Sequence, residues 1–306
     1  MPEEVRLHPT KCPICDTDGN ATELYPANFD LAAFNPAIYS ARRLPDRIHY
    51  RIVRCNTCGL VRSDPVADPE ALARLYAQSS FDYAQEVDDL KITYDRYLDR
   101  LERFDVHKGS LLEIGCGNGF FLEEALKRGY SSVSGVEPGR TIVEKARADI
   151  RPNIVCDILR PSLFEPECFD VIAIFQTFDH ISDPGALLDE CRRLLKPGGL
   201  MLCFNHNIAA ASARLLGERS PIIDIEHTYL YSPATIARLF EKHAFKTLET
   251  GSARNTYHLY YLTRLLPLPG LFKRPLLGLL KDTQVGSIRL TVPLGNLYII
   301  AQKPRQ

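Results

Sequence analysis

Three glycines at alternate positions, followed by an acidic residue farther along the chain, have the types and spacing to hold a small molecule. Gly115, Gly117 and Gly119 come directly after the mostly apolar run 111–114, which has the length of a buried strand. Because glycine has no Cβ, the backbone can turn sharply here and approach a ligand closely. A dinucleotide-binding turn has its third glycine three residues after the second, where this chain has Phe120. The spacing therefore disfavours nicotinamide cofactors.

Glu137 supplies the acid, because it ends a second apolar stretch, 133–136, where a parallel strand would present a carboxylate to ribose hydroxyls. The segment 113–119, EIGCGNG, together with Glu137 resembles, position by position, the first motif of class I S-adenosylmethionine-dependent methyltransferases and the acid that closes their second strand. The resemblance implies that Glu113, the three glycines and Glu137 bind S-adenosylmethionine. The alternative is a tight strand–helix turn that binds no ligand.

Two more polar residues follow predicted strands. Asp157 ends the short strand 154–156, and Gln176 directly follows the buried strand 169–175. Because the carboxyl ends of parallel strands meet at one edge of a sheet, both residues are predicted to face the crevice at the glycine turn. The resemblance implies that Asp157 approaches the adenine amino group and that Gln176 lies beside the methionine part of the cofactor.

Histidines are the candidate catalytic bases. Methyl transfer from a sulfonium is an in-line displacement, so the protein has to align the acceptor and, for a hydroxyl or an acidic C–H, remove its proton. His180 follows the fourth predicted strand, and His227 stands beside Glu226 in a turn before a helix. We predict that His180 or His227 is the base, with Glu226 orienting its neighbour. A structural role for either histidine is the alternative.

Four of the nine cysteines form two Cys-x-x-Cys pairs near the beginning of the sequence: Cys12 with Cys15, and Cys55 with Cys58. Each pair places two thiolates on one tight turn, so the four sulfurs suit one tetrahedral zinc ion. A redox dithiol or unrelated thiols are the alternatives. Because four thiolates leave no open coordination position, this zinc is predicted to be structural and not catalytic.

The elements that must position these residues alternate between strand and helix, which predicts an α/β fold with a parallel sheet. The resemblance implies a Rossmann-like, doubly wound, mostly parallel seven-stranded sheet with an antiparallel closing strand. The closing strands are predicted at 245–250 and 297–302, and the resemblance implies that they pair antiparallel to each other. We predict a zinc-ribbon-like module at 1–68 and the methyltransferase domain at 69–306. A leucine-rich insertion at 259–294 is expected to be a flap over the substrate pocket or a homodimer face, with attachment to a membrane interface as the alternative.

Charge and composition restrict the partners. The 306 residues carry 37 basic and 38 acidic side chains, so no global attraction to nucleic acid or anionic lipid is expected. The sequence shows no leader and no apolar run long enough to span a bilayer, which predicts a cytoplasmic protein. A small-molecule acceptor is therefore favoured. The alternatives are a nucleic-acid methyltransferase that uses the locally basic zinc module as its reader, and a cofactor-binding scaffold without activity.

Overall fold

A computed structural model describes residues 6–29, 48–68, 87–265, 269–281 and 283–305. Its strands, in chain order, are β1 (Leu7–His8), β2 (Ala21–Tyr25), β3 (Ile52–Cys55), β4 (Val61–Ser63), β5 (Val66–Ala67), β6 (Ser110–Ile114), β7 (Ser132–Val136), β8 (Ile154–Val155), β9 (Phe169–Phe175), β10 (Leu195–His206), β11 (Tyr229–Leu230), β12 (Lys246–His258) and β13 (Arg289–Gln302). The α-helices are α1 (Val87–Glu102), α2 (Phe120–Lys127), α3 (Arg140–Val143), α4 (Pro184–Leu194), α5 (Ala211–Leu216), α6 (Pro233–Lys242), α7 (Leu259–Leu265) and α8 (Gly270–Leu280).

Seven strands form the central sheet in the order β12-β13-β10-β9-β6-β7-β8. The five strands from β10 to β8 are mutually parallel, and β13 runs antiparallel to both of its neighbours. The predicted fold class, a mostly parallel seven-stranded sheet with an antiparallel closing strand, is confirmed.

Both faces of the sheet are covered, which explains why the central strands are apolar throughout. Every residue of β9 is buried. In β6, Leu111 faces the layer that contains α1 and α2, whereas Leu112 faces the layer that contains α4 and α6. This alternation follows from the two-residue period of a strand.

The four-stranded N-terminal sheet has the order β11-β4-β3-β2, so it takes one strand from the far side of the predicted boundary at residue 68. Tyr229 of β11 pairs with Arg62 of β4. Ser63 also donates its hydroxyl to the carbonyl of His227 at 2.8 Å. The predicted module and the predicted methyltransferase domain therefore share a sheet, and the boundary itself stays a prediction.

Some elements differ in extent from the sequence prediction. The sequence predicts a helix near 141–148, but the chain is α-helical only over Arg140–Val143, because it then tightens into i→i+3 hydrogen bonds such as Ala146 N–H to Val143 O. The closing strands β12 and β13 have 13 and 14 residues, far more than predicted, and extend beyond the rest of the sheet as an antiparallel pair. The sequence also predicts a helix start at Asp68 and Pro69, with Asp68 as the cap, but residues 69–86 lie outside the described residues.

Candidate active site and cysteine cluster

A cavity of about 460 Å³ lies at the carboxyl edge of the central sheet. Its wall includes the turn after β6, the ends of β7 and β8, the segment after β9, and parts of helices α1 and α4. Of the predicted cofactor residues, those that line the cavity are Glu113, Gly115, Gly117, Glu137, Asp157 and Gln176. Gly119 is not among the lining residues and stands at the N-terminal cap of α2. The fold thus brings together residues that are distant in sequence.

The glycine turn has a backbone that other residues rarely adopt. Gly115, Gly117 and Gly119 have φ values of 74°, 54° and 75°. A Cβ at position 115 would lie 2.3 Å from Oγ1 of Thr177, which also lines the cavity. A Cβ at position 119 would lie 2.7 Å from the side chain of Ile150 in the core. Gly115 therefore keeps space open beside the cavity, whereas Gly119 lets α2 pack closely.

Glu137 lies against the glycine turn. Its Oε2 accepts a hydrogen bond from the backbone N–H of Gly117 at 3.0 Å, and its Oε1 accepts one from Gly139 at 2.8 Å. Burial raises the pKa of Glu137, and the two backbone donors offset part of that rise. The carboxylate is therefore held at the cavity wall, where its remaining lone pairs can accept hydrogen bonds from a ligand's hydroxyls.

Asp157 and Gln176 line the cavity after the ends of β8 and β9. The Asp157 side chain is 38% exposed, and its Oδ2 lies 3.2 Å from Nε of Arg160. Gln176 has a φ of 49°, and its backbone N–H donates to the carbonyl of Phe204 at 2.6 Å. A non-glycine residue in this left-handed region is uncommon and often marks a functional site.

Tyr94 and Thr177 are cavity residues that the sequence analysis did not select. Tyr94 belongs to α1, and its ring stacks on Phe175 with 3.8 Å between ring centroids. Apolar residues recur in α1 at spacings of three and four, and this pattern predicts only that Tyr94 packs on the sheet. Thr177 follows Gln176 directly, so its place after β9 was the available signal.

Three histidines surround one buried carboxylate beside the cavity. Asp179 is fully buried, and its Oδ2 accepts a hydrogen bond from Nδ1 of His206 at 2.6 Å. Its Oδ1 lies 3.6 Å from Nε2 of His180. The ring of His227 is 4.4 Å from that of His206 and 5.0 Å from that of His180, measured between centroids. These four side chains form what we call the Asp179 cluster.

Burial and charge together determine protonation in the Asp179 cluster. Burial alone would raise the pKa of Asp179, but the Coulombic attraction and the hydrogen bond of His206 lower it, so the carboxylate is ionised. Burial lowers the pKa of His180 to about 3, although Asp179 opposes this shift. Burial also lowers the pKa of His227. His180 and His227 are therefore neutral at pH 7.

The predicted catalytic residues lie at different depths. His180 lines the cavity, whereas His227 and Glu226 are buried and are not among its lining residues. Nδ1 of His227 donates to the carbonyl of Ile222 at 2.9 Å, since a carbonyl can only accept. That carbonyl therefore fixes one side of the His227 ring, and the orienting role of Glu226 stays a prediction. The backbone N–H of Glu226 donates to Oδ1 of Asp224 at 3.1 Å.

Sequence reasoning missed Asp179 and His206. Asp179 directly precedes His180, and His206 is the last residue of β10. The end of a strand at the carboxyl edge was a usable signal for His206. Only the fold reveals the buried contact between the two side chains, because 27 positions separate them.

The four predicted zinc ligands lie together. Each offers a sulfur, and the four sulfurs are all within 4.8 Å of one another; Cys12 and Cys58 are 3.5 Å apart, and Cys15 and Cys55 are 4.0 Å apart. Sulfurs bound to one tetrahedral zinc at about 2.3 Å are roughly 3.8 Å apart. The spacing therefore fits a zinc ion.

Both cysteine pairs have the same backbone arrangement. The residue after each second cysteine, Asp16 and Gly59, has a positive φ of 55° and 80°. The N–H groups of Asp16 and Gly59 donate to the carbonyls of Cys12 and Cys55 at 2.9 and 3.0 Å. Burial raises the pKa of Cys12 to about 11, so without a cation this thiol is protonated at neutral pH. A metal ion would have to displace that proton.

Comparison with known proteins agrees with this geometry. The family described as "Methyltransferase domain" matches residues 88–250, which include the glycine turn, Glu137, Asp157, Gln176 and His180. This match covers more than half of the chain.

Several curated relatives are named ubiquinone biosynthesis O-methyltransferase. The protein of that name from Neisseria meningitidis serogroup C is 28% identical over 180 residues, which are 52% of this chain and 74% of the relative. The one from Xylella fastidiosa strain 9a5c is 31% identical over 127 residues, which are 38% of this chain and 50% of the relative. The chain thus spans between about half and three quarters of these two relatives.

Among solved structures, one similar chain is a SAM-dependent methyltransferase from Archaeoglobus fulgidus, with a TM-score of 0.48 and 19% identity. The match covers 77% of this chain and all of that chain.

Proposed function

Because the chain belongs to the methyltransferase-domain family, a family that uses S-adenosylmethionine, we propose that it transfers a methyl group to oxygen, carbon or nitrogen of a small biosynthetic metabolite. The observation that carries this proposal is the convergence of the glycine turn, Glu137, Asp157, Gln176 and His180 on one cavity. A cavity of about 460 Å³ is in the usual size range of a small-molecule site.

The cofactor end of the cavity is assigned to the residues at the ends of β6, β7 and β8. Glu137 accepts hydrogen bonds from the ribose hydroxyls, as its place at the end of β7 favours. Asp157 accepts from the adenine amino group, and Glu113 and Gln176 lie on the methionine side. The glycine turn precedes α2 and allows the cofactor to approach the backbone without a Cβ in the way.

At the acceptor end we place the base at His180, because it is the imidazole of the Asp179 cluster that lines the cavity. Bound S-adenosylmethionine would supply an electrophilic methyl group, and its demethylated product would keep the electron pair of the broken carbon–sulfur bond as the acceptor bonds to the methyl carbon. His180 takes the proton from an acceptor hydroxyl or acidic C–H. The ionised Asp179, 3.6 Å away, stabilises the imidazolium that forms.

His227 is retained as the second candidate base. Its Nδ1 carries a proton toward Ile222, and its lowered pKa leaves a lone pair on Nε2. It is buried behind the cavity wall, so it requires a shift of the wall or relay through His180. Glu226 supports the turn that holds His227.

The described part of the N-terminal module gives little support to a nucleic-acid reader. Of its arginines predicted to form a basic surface, Arg62 is fully buried and Arg51 pairs with Asp64 at 3.0 Å. Arg54 remains exposed. Recognition of a phosphate backbone requires several accessible cations on one face.

The test is to follow a labelled methyl group. Purified protein is incubated with S-adenosylmethionine carrying a deuterated methyl group and a metabolite extract, and the products are separated by size and analysed by mass spectrometry. We expect label in small molecules. Label found only in nucleic acid would favour the reader hypothesis, and cofactor binding without any product would favour a scaffold.

Replacing Glu137 with Ala is expected to weaken S-adenosylmethionine binding about 10- to 100-fold. The change removes a hydrogen bond from a ribose hydroxyl to a charged acceptor, and one such bond contributes about 1.5–3 kcal/mol. Titration calorimetry measures the affinity. Glu137→Gln keeps an oxygen for the N–H groups of Gly117 and Gly139, and the exposed Glu144→Ala is the control with the same loss of charge. Unchanged affinity in both Glu137 variants, or a wild type that prefers NAD, would refute the cofactor assignment.

A further inference from the structure

Large apolar side chains are exposed in one part of the chain. Of the eleven that are exposed among the described residues, eight lie between positions 271 and 294. These eight residues, which we call the apolar surface, are Leu271, Phe272, Leu276, Leu279, Val285, Ile288, Leu290 and Leu294. A cluster of exposed apolar residues of this kind marks an interaction site more often than isolated ones do.

Helix α8 turns its apolar side away from the protein. Leu280 is buried and Leu277 is partly buried, so this side of the helix faces the body of the protein. Phe272, Leu276 and Leu279 recur at spacings of four and three residues and therefore lie on another side of the helix. Phe272 and Leu279 are 66% and 72% exposed. An ordinary surface helix has the opposite arrangement, with polar residues outward.

The segment around the apolar surface is basic. Residues 251–306 contain eight of the 37 lysines and arginines but one of the 38 acidic residues, Asp282. Within 259–281 there are four cations and no acid: Arg264, Lys273, Arg274 and Lys281. None of these four forms an ion pair with a residue that the structure describes. The rest of the chain is acidic overall, so this end of the molecule has a distinct positive charge.

The apolar surface stands at the same edge of the sheet as the cavity. In the sheet, Ala253 of β12 is opposite Asn296 of β13, which is opposite His206 at the end of β10. The last five residues of β12 and then α7 and α8 therefore extend beyond the carboxyl edge. This edge is where ligands enter a doubly wound sheet.

The buried Asp89 of helix α1 holds the extended ends of β12 and β13. Asp89 accepts a hydrogen bond from Nδ1 of His258 at 2.5 Å and one from Nε of Arg289 at 2.7 Å. His258 and Arg289 are also opposite each other in the register of β12 and β13, at the end of the strand pair from which the insertion leaves. The base of the insertion is therefore attached to the same helix that provides Tyr94 to the cavity.

We propose that the apolar surface, with the cations of 259–281, binds the surface of a membrane that contains anionic phospholipids. Phenylalanine and leucine side chains enter the boundary between headgroups and acyl chains, and lysine and arginine contact the phosphates. None of the described helices is long and apolar enough to cross a bilayer, so the contact is interfacial. This inference goes beyond the proposed function and does not depend on which atom is methylated.

A second copy of the chain fits the same surface less well. A twofold interface would place the apolar surface of one copy against that of the other. The four cations of 259–281 would then face the same four cations, and this segment contains no acid. An anionic bilayer complements both properties of the surface at once. The charge of the segment thus selects the membrane over the dimer.

The test is sedimentation of the full chain with vesicles of phosphatidylcholine alone and with an equimolar mixture of phosphatidylcholine and phosphatidylglycerol. We expect binding to the anionic vesicles and little to the neutral ones. Phe272→Ser with Leu279→Ser, and separately Lys273→Glu with Arg274→Glu, are each expected to weaken binding at least about tenfold.

Matched controls separate this effect from net charge and from folding. Lys246→Glu with Arg192→Glu changes the net charge by the same amount at exposed positions away from the insertion, and it should leave vesicle binding within about twofold. Calorimetric S-adenosylmethionine affinity should be unchanged in all three double variants. Two results would overturn the proposal: no sedimentation of wild type with either vesicle, or a wild-type dimer that Phe272→Ser with Leu279→Ser converts to a monomer.

Discussion

Replacing His180 with Ala is expected to lower turnover by about 10²- to 10⁴-fold while the affinity for S-adenosylmethionine stays within a few-fold of wild type. The reason is that His180 is the cavity-lining imidazole beside the ionised Asp179, whereas the cofactor residues lie on other segments. Turnover is measured with the acceptor identified by methyl labelling, and affinity by calorimetry.

Two variants make this result specific. His243→Ala removes an imidazole that pairs with Asp189 on another part of the surface, and it should leave turnover unchanged. His227→Ala should have a smaller effect than His180→Ala if His180 takes the proton. The opposite order would identify His227 as the base, and full activity in both variants would show that the enzyme only aligns its substrates.

The pH dependence follows from the same geometry. A base acts only when it is unprotonated, so the rate falls as the pH drops through its pKa. An ordinary histidine would lose activity below about pH 6.5. Because burial lowers the pKa of His180 to about 3, its contribution should remain complete from about pH 8 down to pH 5.

Replacing Cys55 with Ser is expected to abolish stoichiometric zinc binding and to unfold the N-terminal sheet. Structural zinc sites contribute apparent binding energies of about 10–16 kcal/mol, which is more than the stability of a typical domain. Elemental analysis gives the zinc content, and limited proteolysis reports the state of residues 6–68. Cys156→Ser, which removes an exposed free thiol elsewhere, is the matched control and should leave zinc bound.

The N-terminal sheet that carries the cysteine cluster also contacts the segment of His227, so the same variant has a second expected effect. Strand β4 follows the second cysteine pair and pairs with β11. Ser63, the last residue of β4, donates its hydroxyl to the carbonyl of His227 and so holds the turn around His227. Loss of the module should therefore lower turnover more than cofactor affinity. A Cys55→Ser protein that keeps one zinc per chain, or a wild type without zinc, would contradict the assignment.

Much of the cofactor end could be predicted from the sequence, because its information is local. A glycine turn requires glycine at particular positions, since only glycine adopts positive φ at low cost. Consecutive apolar residues indicate the buried strand before it. Gly115, Gly117 and Glu137 were therefore selected from the sequence, and their placement beside one cavity follows from the shared edge of parallel strands. The cysteine pairs were equally readable, because a metal turn fixes the spacing of its two ligands.

The acceptor end could not be predicted in the same way. The contact between Asp179 and His206 joins the ends of two neighbouring strands, and nothing in either local sequence indicates it. Nδ1 of His227 donates to the carbonyl of Ile222, five positions earlier, and the local sequence does not indicate this contact. Side-chain direction depends on the backbone path of the turn, which adjacency does not determine.

The sequence by itself determined the class of the sheet, the glycine turn, its acidic partner and the cysteine pairs, since each depends on short-range spacing and on the periodicity of apolar residues. Only the tertiary structure decided that β11 completes the N-terminal sheet, that three histidines surround Asp179, and that α8 exposes Phe272 and Leu279. These are pairings between segments far apart in the chain. Their energy comes from burial and charge in a shared environment, which exists only after the strands have assembled.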